Sequence, residues 1–360
     1  MKNEEERNEE QCQESINRAR ELEMALMILL TVNIKKTLEN DSKSARANAL
    51  NIIRKSIKKE TKSFLNDEKE LVLNDLTKVG DNAYENLDSR SNKKINPEQF
   101  TKKKARESSD YFKKFMKTKG TNFVYDKNMD VYRYFNVFIE RNVKDVVDGK
   151  VTIDEAVSKA IDELSRNGVK VIDYASGTTR SIEAFVRQQM LYASKESVQE
   201  LREANAEEDG ITIWEFDAHA NARPSHQVWQ GKRYDTTGKD YPTLEELTHG
   251  EEKDYGCKHR AYPVYSKDDP YMFSKDQLKN MNTKPFKFKD KTYDGYNATQ
   301  KMRYMERRIR EYKKRIKLKE EMGIDTTNDK FLLKKHNKEY SQFCKAFGTY
   351  RRSNRLKIAN

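Results

Sequence analysis

Apolar residues recur every three or four positions through most of this chain, the spacing of helices that bury one face. Over residues 1–40, Ile16, Ala19, Leu26 and Leu30 share a face that Leu22 and Leu29 widen, which predicts a single helix. Asn40-Asp41-Ser42 breaks the pattern and can cap the next helix. From Ala45 to Val79, Ile53, Ile57, Phe64 and Leu71 recur at steps of four and seven. This is a coiled-coil-like seam suited to packing on neighbouring helices, with Gly80 as its end. Asn96-Pro97-Glu98-Gln99 reads as a helix start, with Asn as N-cap and Pro at the first position; the helix runs to about Lys119 and stops at Gly120. Another helix, from about Asp130 to Asp148, carries Val131, Phe135, Phe138 and Val146 and closes at Gly149. Thr152-Ile153-Asp154-Glu155 is a capping box that opens a helix ending near Asn167-Gly168.

The period changes after Gly168. Val169–Tyr174 suits a short strand or an extended connection, and Ser176-Gly177-Thr178-Thr179 a loop. A long helix follows from about Ser181 to Ala206, with Gly210 at its end. Ile211–Phe216 is apolar on nearly both faces, the mark of a buried strand, and Tyr262–Tyr265 is a plausible partner. Lys284–Tyr296 alternates and suits a hairpin or an edge strand. Met302, Met305, Ile309, Tyr312 and Ile316 then form a heptad seam. After a turn over Gly323–Asp329 comes a second helix with Leu332, His336, Tyr340, Phe343, Phe347 and Tyr350 on one side. The expected fold is mainly α with a small α+β module. It divides into a helical region 1–168, a central module 169–284 and a C-terminal helical hairpin 285–360.

Composition sharpens this outline. Apolar residues are 35% and charged residues 36% of 360, so long helices with narrow apolar stripes fit better than one large globule. Three widely spaced cysteines are no disulfide framework, and the acidic N-terminus and short apolar run Met24–Val32 point to a soluble, unsecreted protein without a membrane span. The net charge of +12 is lopsided: residues 285–360 hold 22 Lys/Arg against 9 Asp/Glu, and the rest of the chain is close to neutral. Arg307, Arg308, Arg310, Lys313, Lys314 and Arg315 are the densest part of this field, which suits a phosphate backbone or an acidic protein face.

Candidate chemistry collects between Ile211 and Val264, which hold both tryptophans, four of the five histidines and one cysteine. Asp217 and His219 follow the buried strand, His226 lies within Arg223-Pro224-Ser225-His226, and Cys257 and His259 flank Lys258. His219, His226, Cys257 and His259 would fill a tetrahedral zinc shell with Asp217 behind them. The C-x-H spacing is not that of a zinc ribbon, and three readings stay open: a hydrogen-bonded polar knot without metal, a structural zinc site, or a catalytic metal with Asp217 as base. Pro224 can fill a first helical turn, Trp229 can turn inward, and Gln230-Gly231-Lys232 can make a tight turn. Ser225 and His226, adjacent on a helix, diverge too far for a hydrolase pair, and no phosphate-binding or H-E-x-x-H motif is present.

DYASGTTRSIEAFVRQQM (173–190), DAHANARPSHQVWQGKRY (217–234), YGCKHRAYPVY (255–265) and the helices around TYDGYNATQKMRYMERRIREYKKRIK resemble the phage minor capsid protein 2 family. That family is related to the Mu F-like minor head proteins of tailed phages. Asp217, His219, Arg223, Pro224, Ser225, His226, Trp229, Gln230, Gly231, Cys257 and His259 match its recurring positions, and Arg180 matches more weakly. Lys258 stands where members often carry Arg. The resemblance implies a structural, non-enzymatic virion component, made in the bacterial host cytoplasm and present in low copy beside the portal. Its partners would be portal and capsid proteins, with DNA met through the basic hairpin, and it would require no cofactor. The alternative from the residues alone is a metal-dependent nuclease or phosphodiesterase using Asp217, His219, His226, Cys257 and His259.

Overall fold

The computed structural model describes residues 4–91, 95–116, 123–173, 176–253 and 257–359. The chain begins with α1 (Glu4–Gln11) and α2 (Gln13–Glu39), two helices where the apolar pattern predicted one. α3 (Lys43–Glu85) and α4 (Glu98–Met116) follow, then the strand pair β1 (Phe123–Asp126) and β2 (Met129–Asp130). α5 (Val131–Val147) and α6 (Ile153–Asn167) lead to β3 (Lys170–Asp173), β4 (Thr178–Ser181) and the long α7 (Ile182–Glu208).

α2 is the axis of this part. Ile16, Leu22, Met24, Leu26, Met27, Leu30 and Ile34 bury around most of its circumference, and α3, α5, α6, α7 and α10 (Gly295–Glu321, below) all pack on it. A helix apolar on nearly every side is stable only when enclosed. α3 runs for 43 residues, a rod of ~65 Å at 1.5 Å per residue. Ser42 caps it by accepting from the Ala45 amide. Its buried seam is Ile53, Ile57, Thr61, Phe64, Glu68, Val72, Leu76 and Val79; Leu71 is only half-buried. The expected stop at Gly80 is wrong, since α3 continues through it. A Cβ there would lie 2.5 Å from Thr101 Cγ2 and 3.1 Å from Pro97 Cβ, so the glycine admits α4 to close approach rather than ending a helix.

Local capping chemistry follows the sequence closely. Asn96 Oδ1 accepts from the Glu98 amide, Asp130 caps α5, and Thr152 with Glu155 forms the reciprocal capping box of α6. The expected end of α4 at Lys119-Gly120 falls outside the described residues. Thr178 and Thr179 are strand rather than loop: the turn is shorter, with Gly177 at φ +66°, and β4 pairs antiparallel with β3. Together with β2 and β1 they make a four-stranded sheet in the order β2-β1-β3-β4.

The second sheet has β5 (Ile213–Phe216) at its centre, with β6 (Arg233–Asp235) and β7 (Ala261–Pro263) antiparallel on either side. Between these strands lie a 3-10 turn over Pro224–Val228 and the short helix α8 (Leu244–Thr248). α9 (Lys275–Asn280) and the hairpin β8 (Phe286–Phe288) and β9 (Lys291–Tyr293) lead into α10 (Gly295–Glu321) and α11 (Thr327–Phe347), the expected helical hairpin. Met302, Met305, Ile309, Tyr312 and Ile316 bury along its seam with Tyr340, Phe343 and Phe347. Tyr350 does not join them and is 91% exposed, because α11 ends at Phe347 and Gly348 takes φ +72°. The hairpin is tied to the rest: Leu318 and Ala359 belong to the same buried cluster as α2. The architecture is mainly α with short antiparallel sheets.

Candidate functional site

Sheet pairing builds the site. β5 is buried at every position and ends at Phe216, delivering Asp217 to the sheet edge. The Asp217 amide donates to the Arg260 carbonyl at 2.9 Å, and Asp217 Oδ1 accepts from the Arg260 amide at 2.8 Å. This clamp brings the Cys257–Arg260 segment alongside the strand end. Pro224 opens the 3-10 turn as expected, and the His226 and Gln227 amides donate to the Arg223 carbonyl. The turn places His226 inward and leaves Pro224 exposed. Trp229 buries against Phe216, ring centroids 4.8 Å apart, and its indole N–H donates to Glu251 Oε2 at 3.3 Å. Gly231 at φ +69° makes the predicted tight turn into β6, where a Cβ would sit 2.9 Å from Leu278.

Four aromatic rings therefore meet at one point. The His259 ring centroid lies 4.5 Å from that of His219, 4.5 Å from Trp229 and 5.5 Å from His226. Ligand atoms of His226, Cys257 and His259 all lie within 4.8 Å of one another. His219 stands outside that trio and stacks on it, its backbone amide donating to Gln230 Oε1 at 3.3 Å. The same Gln230 oxygen meets His259 Nε2 at 3.1 Å. Because it accepts from His219, this atom is an oxygen, and His259 Nε2 must carry the proton. The Nδ1 lone pair of His259 then faces Cys257 Sγ, 3.6 Å away. Burial, with His219, His226, Lys195 and Arg260 nearby, drives the His259 pKa down to about 2, so its ring is neutral across the physiological range. Burial pushes the Cys257 thiol up, against the pull of Lys195 and Arg260.

Two features of the module escaped the sequence pattern. Glu215 and Arg233 face each other across β5 and β6 as a buried ion pair at 2.9 Å. Arg233 also donates to the carbonyls of Lys267 and Asp269, and Glu215 Oε1 accepts from the Met272 amide. A charged residue inside the apolar run Ile-Trp-Glu-Phe was the available signal, since a buried carboxylate needs a partner. The second is Asn221, held at φ +61°. Its amide nitrogen donates to Thr283 Oγ1, its side-chain oxygen accepts from the Thr283 amide, and its backbone amide donates to Asn282 Oδ1. This loop thus anchors the approach to α10, and only glycine at 295 leaves room for it.

The six cations expected to meet a phosphate or protein partner are placed differently from one another. Arg307 is exposed. Arg308 pairs with Glu311, Arg310 with Glu183 and the Arg355 carbonyl, and Lys313 donates to the Leu356 carbonyl. Lys314 pairs with Glu23 of α2, and Arg315 is buried among Asp162, Glu311 and Asp329. Three of the six, Arg310, Lys314 and Arg315, tie the hairpin to Glu183, Glu23 and Asp162 in the body of the protein, and Arg308 and Lys313 are engaged within the C-terminal region itself. On α11, by contrast, Lys334, Lys335, Lys338 and Lys345 are exposed.

No helix among the described residues is long and apolar enough to cross a membrane. No curated protein and no solved structure matches the chain. The model of one family, phage minor capsid protein 2, matches residues 7–345, from α1 to the last turns of α11. With nearly its whole length covered, this chain belongs to the phage minor capsid protein 2 family, and so to the structural proteins of phages.

Proposed function

We propose that the chain is a head component docked at the portal vertex, where it takes part in head assembly and meets packaged DNA through the outer face of α11. The observation that carries this reading is the division of charge within the hairpin. Arg308, Arg310, Lys313, Lys314 and Arg315 of α10 are engaged by acidic groups and carbonyls of the protein itself, while Lys334, Lys335, Lys338 and Lys345 project from α11. Lys334, Lys338 and Lys345 stand four and seven residues apart, on one side of the helix. A row of exposed ammonium groups on a rigid helix suits a phosphate backbone without sequence preference.

Two experiments test the two parts. Co-purification with portal and capsid proteins supports the location, and absence from purified virions and procapsids overturns it. Duplex DNA binding should weaken steeply with salt, and charge reversal at Lys334, Lys335 and Lys338 should flatten the log–log slope by ~0.9 for each phosphate no longer neutralised. Binding that is independent of salt, or untouched by the reversal, overturns the DNA contact. Truncation before α10 is a poorer test, because it removes Leu318 and Ala359 from the main core.

The hydrolase reading receives less support. Asp217, its expected base, has Oδ1 engaged with the Arg260 amide and serves to clamp two backbone segments.

A further inference from the structure

We propose that His226, Cys257 and His259 form a zinc-type metal site, with two imidazoles and one thiolate as ligands and a fourth position on the His219 side. The three side chains come from the Pro224–Val228 turn and from the segment before β7, and converge within 4.8 Å. Zinc takes nitrogen at ~2.0–2.1 Å and thiolate sulfur at ~2.3 Å, so a tetrahedral N–S edge is ~3.5 Å. Cys257 Sγ and His259 Nδ1 are already 3.6 Å apart. The widest pair of ligand atoms must close by at most ~1.4 Å to reach a tetrahedral N–N edge, a movement within reach of side-chain rotation.

The surroundings resemble those of a metal ligand set more than those of a hydrogen-bonded turn. Gln230 Oε1 takes the His259 Nε2 proton, which fixes the tautomer whose Nδ1 lone pair points to the thiol. Metal-bound histidines are commonly held by such an acceptor on the far nitrogen. His226 and His259 are both buried, and Cys257 packs against the cluster of Trp214, Phe216, Trp229 and Tyr234, so the site is dry on one side. One imidazole pair and one thiolate form a borderline-soft set that favours zinc or cobalt over magnesium or calcium. Binding would release the Cys257 proton and staple the 257–260 segment to the 3-10 turn, adding to the Asp217–Arg260 clamp. The proposal goes beyond the portal and DNA reading and stands independently of it.

Titration of the purified full-length chain with Co²⁺ provides the test. One equivalent should give the visible bands of tetrahedral cobalt together with a thiolate-to-cobalt charge-transfer band, and Zn²⁺ should abolish both. Cys257→Ser should remove the charge-transfer band, whereas Cys344→Ser, in the hairpin core, should keep it. Gln230→Leu should weaken the affinity by roughly 10–100-fold, the usual effect of losing a group that orients a metal-bound imidazole. Each variant is compared by far-ultraviolet circular dichroism with the wild type. Folded wild-type protein that gives no bands, or bands that survive Cys257→Ser, overturns the site.

Discussion

α10 and α11 are two cationic helices of one hairpin, and they use their charge in opposite ways. On α10, Arg310 and Lys314 reach Glu183 and Glu23 on α7 and α2, and Arg315 lies within a nest of three carboxylates. The C-terminal tail repeats the pattern, with Arg355 on Glu9 and Arg20 donating to the Asn354 carbonyl. On α11 the lysines face outward. α10 is the more densely cationic of the two, yet most of its charge binds the protein to itself, while the α11 lysines remain available to a partner. Net charge identifies a field; only the partners decide whether that field leaves the molecule.

The comparison can be broken most severely at Glu183, where Arg20, Arg187 and Arg310 converge. Burial by itself would raise its pKa, but these cations and Lys314 hold it down to about 2. Glu183→Ala should cost ~3–5 kcal/mol in chemical denaturation, the usual result of leaving buried cations uncompensated. Because the folded pKa lies below the ordinary carboxylate value, this contribution is fully present above about pH 4.5 and is lost as pH falls toward 2. The variant should therefore show a flatter acid limb in its stability profile. An unchanged acid limb would show that the hairpin is held by its apolar seam alone.

A smaller loss is expected at Gly295, where α10 begins. A Cβ there would meet Asn221 Oδ1 at 1.7 Å, and that oxygen is held by the Thr283 amide. Gly295→Ala should cost ~1–3 kcal/mol, as overpacking does, and should speed proteolytic cleavage near Asn282-Thr283. A variant as stable and as protease-resistant as the wild type would mean that the loop adapts without loss.

Glu68 supplies the reverse case. It is buried on α3, and burial together with the nearby Asp75 raises its pKa well above the ordinary carboxylate value. Its cost is absent below about pH 4.5, grows as pH rises above that value and is complete once pH passes the folded pKa. Glu68→Gln should stabilise the protein near neutral pH by on the order of 1 kcal/mol and leave the acid limb almost unchanged. A loss of stability at neutral pH would show that the carboxylate is held by a favourable contact. The smallest effect on stability belongs to α11: reversing Lys334, Lys335 and Lys338 should stay within ~0.5 kcal/mol per site while altering partner binding. A large loss of stability there would erase the distinction between the two helices.

Much of the secondary structure was legible because it rests on local chemistry. The Thr152–Glu155 capping box, the Ser42 cap, the start of α5 near Asp130, the Pro224 turn and the β8–β9 hairpin all formed where their residues implied. Gly80 was misleading because a glycine that ends a helix and one that admits a neighbour look alike until the neighbour is present. β6 has no clear signal because Arg233 and Asp235 look like loop residues, and only Glu215 and the donors around Asp235 make their burial tolerable. In the site, the histidines and Cys257 were visible as a chemical cluster. Their ordering was not: His226 and His259 come together with the thiol, and His219 stacks outside.

Sequence alone determined the helical class, most helix starts, the hairpin and the likeness of the central strings to a known phage family. These depend on periodicity, capping and residue identity, which act over a few positions. Tertiary structure decided that α2 is the axis, that three α10 cations tie the hairpin to the body, and that three of the four candidate residues, His226, Cys257 and His259, converge. The physical reason is one of range. Burial and ion pairing depend on which distant segments arrive at the same place, and Lys314 and Glu23, 291 residues apart, carry no mark of each other in the chain.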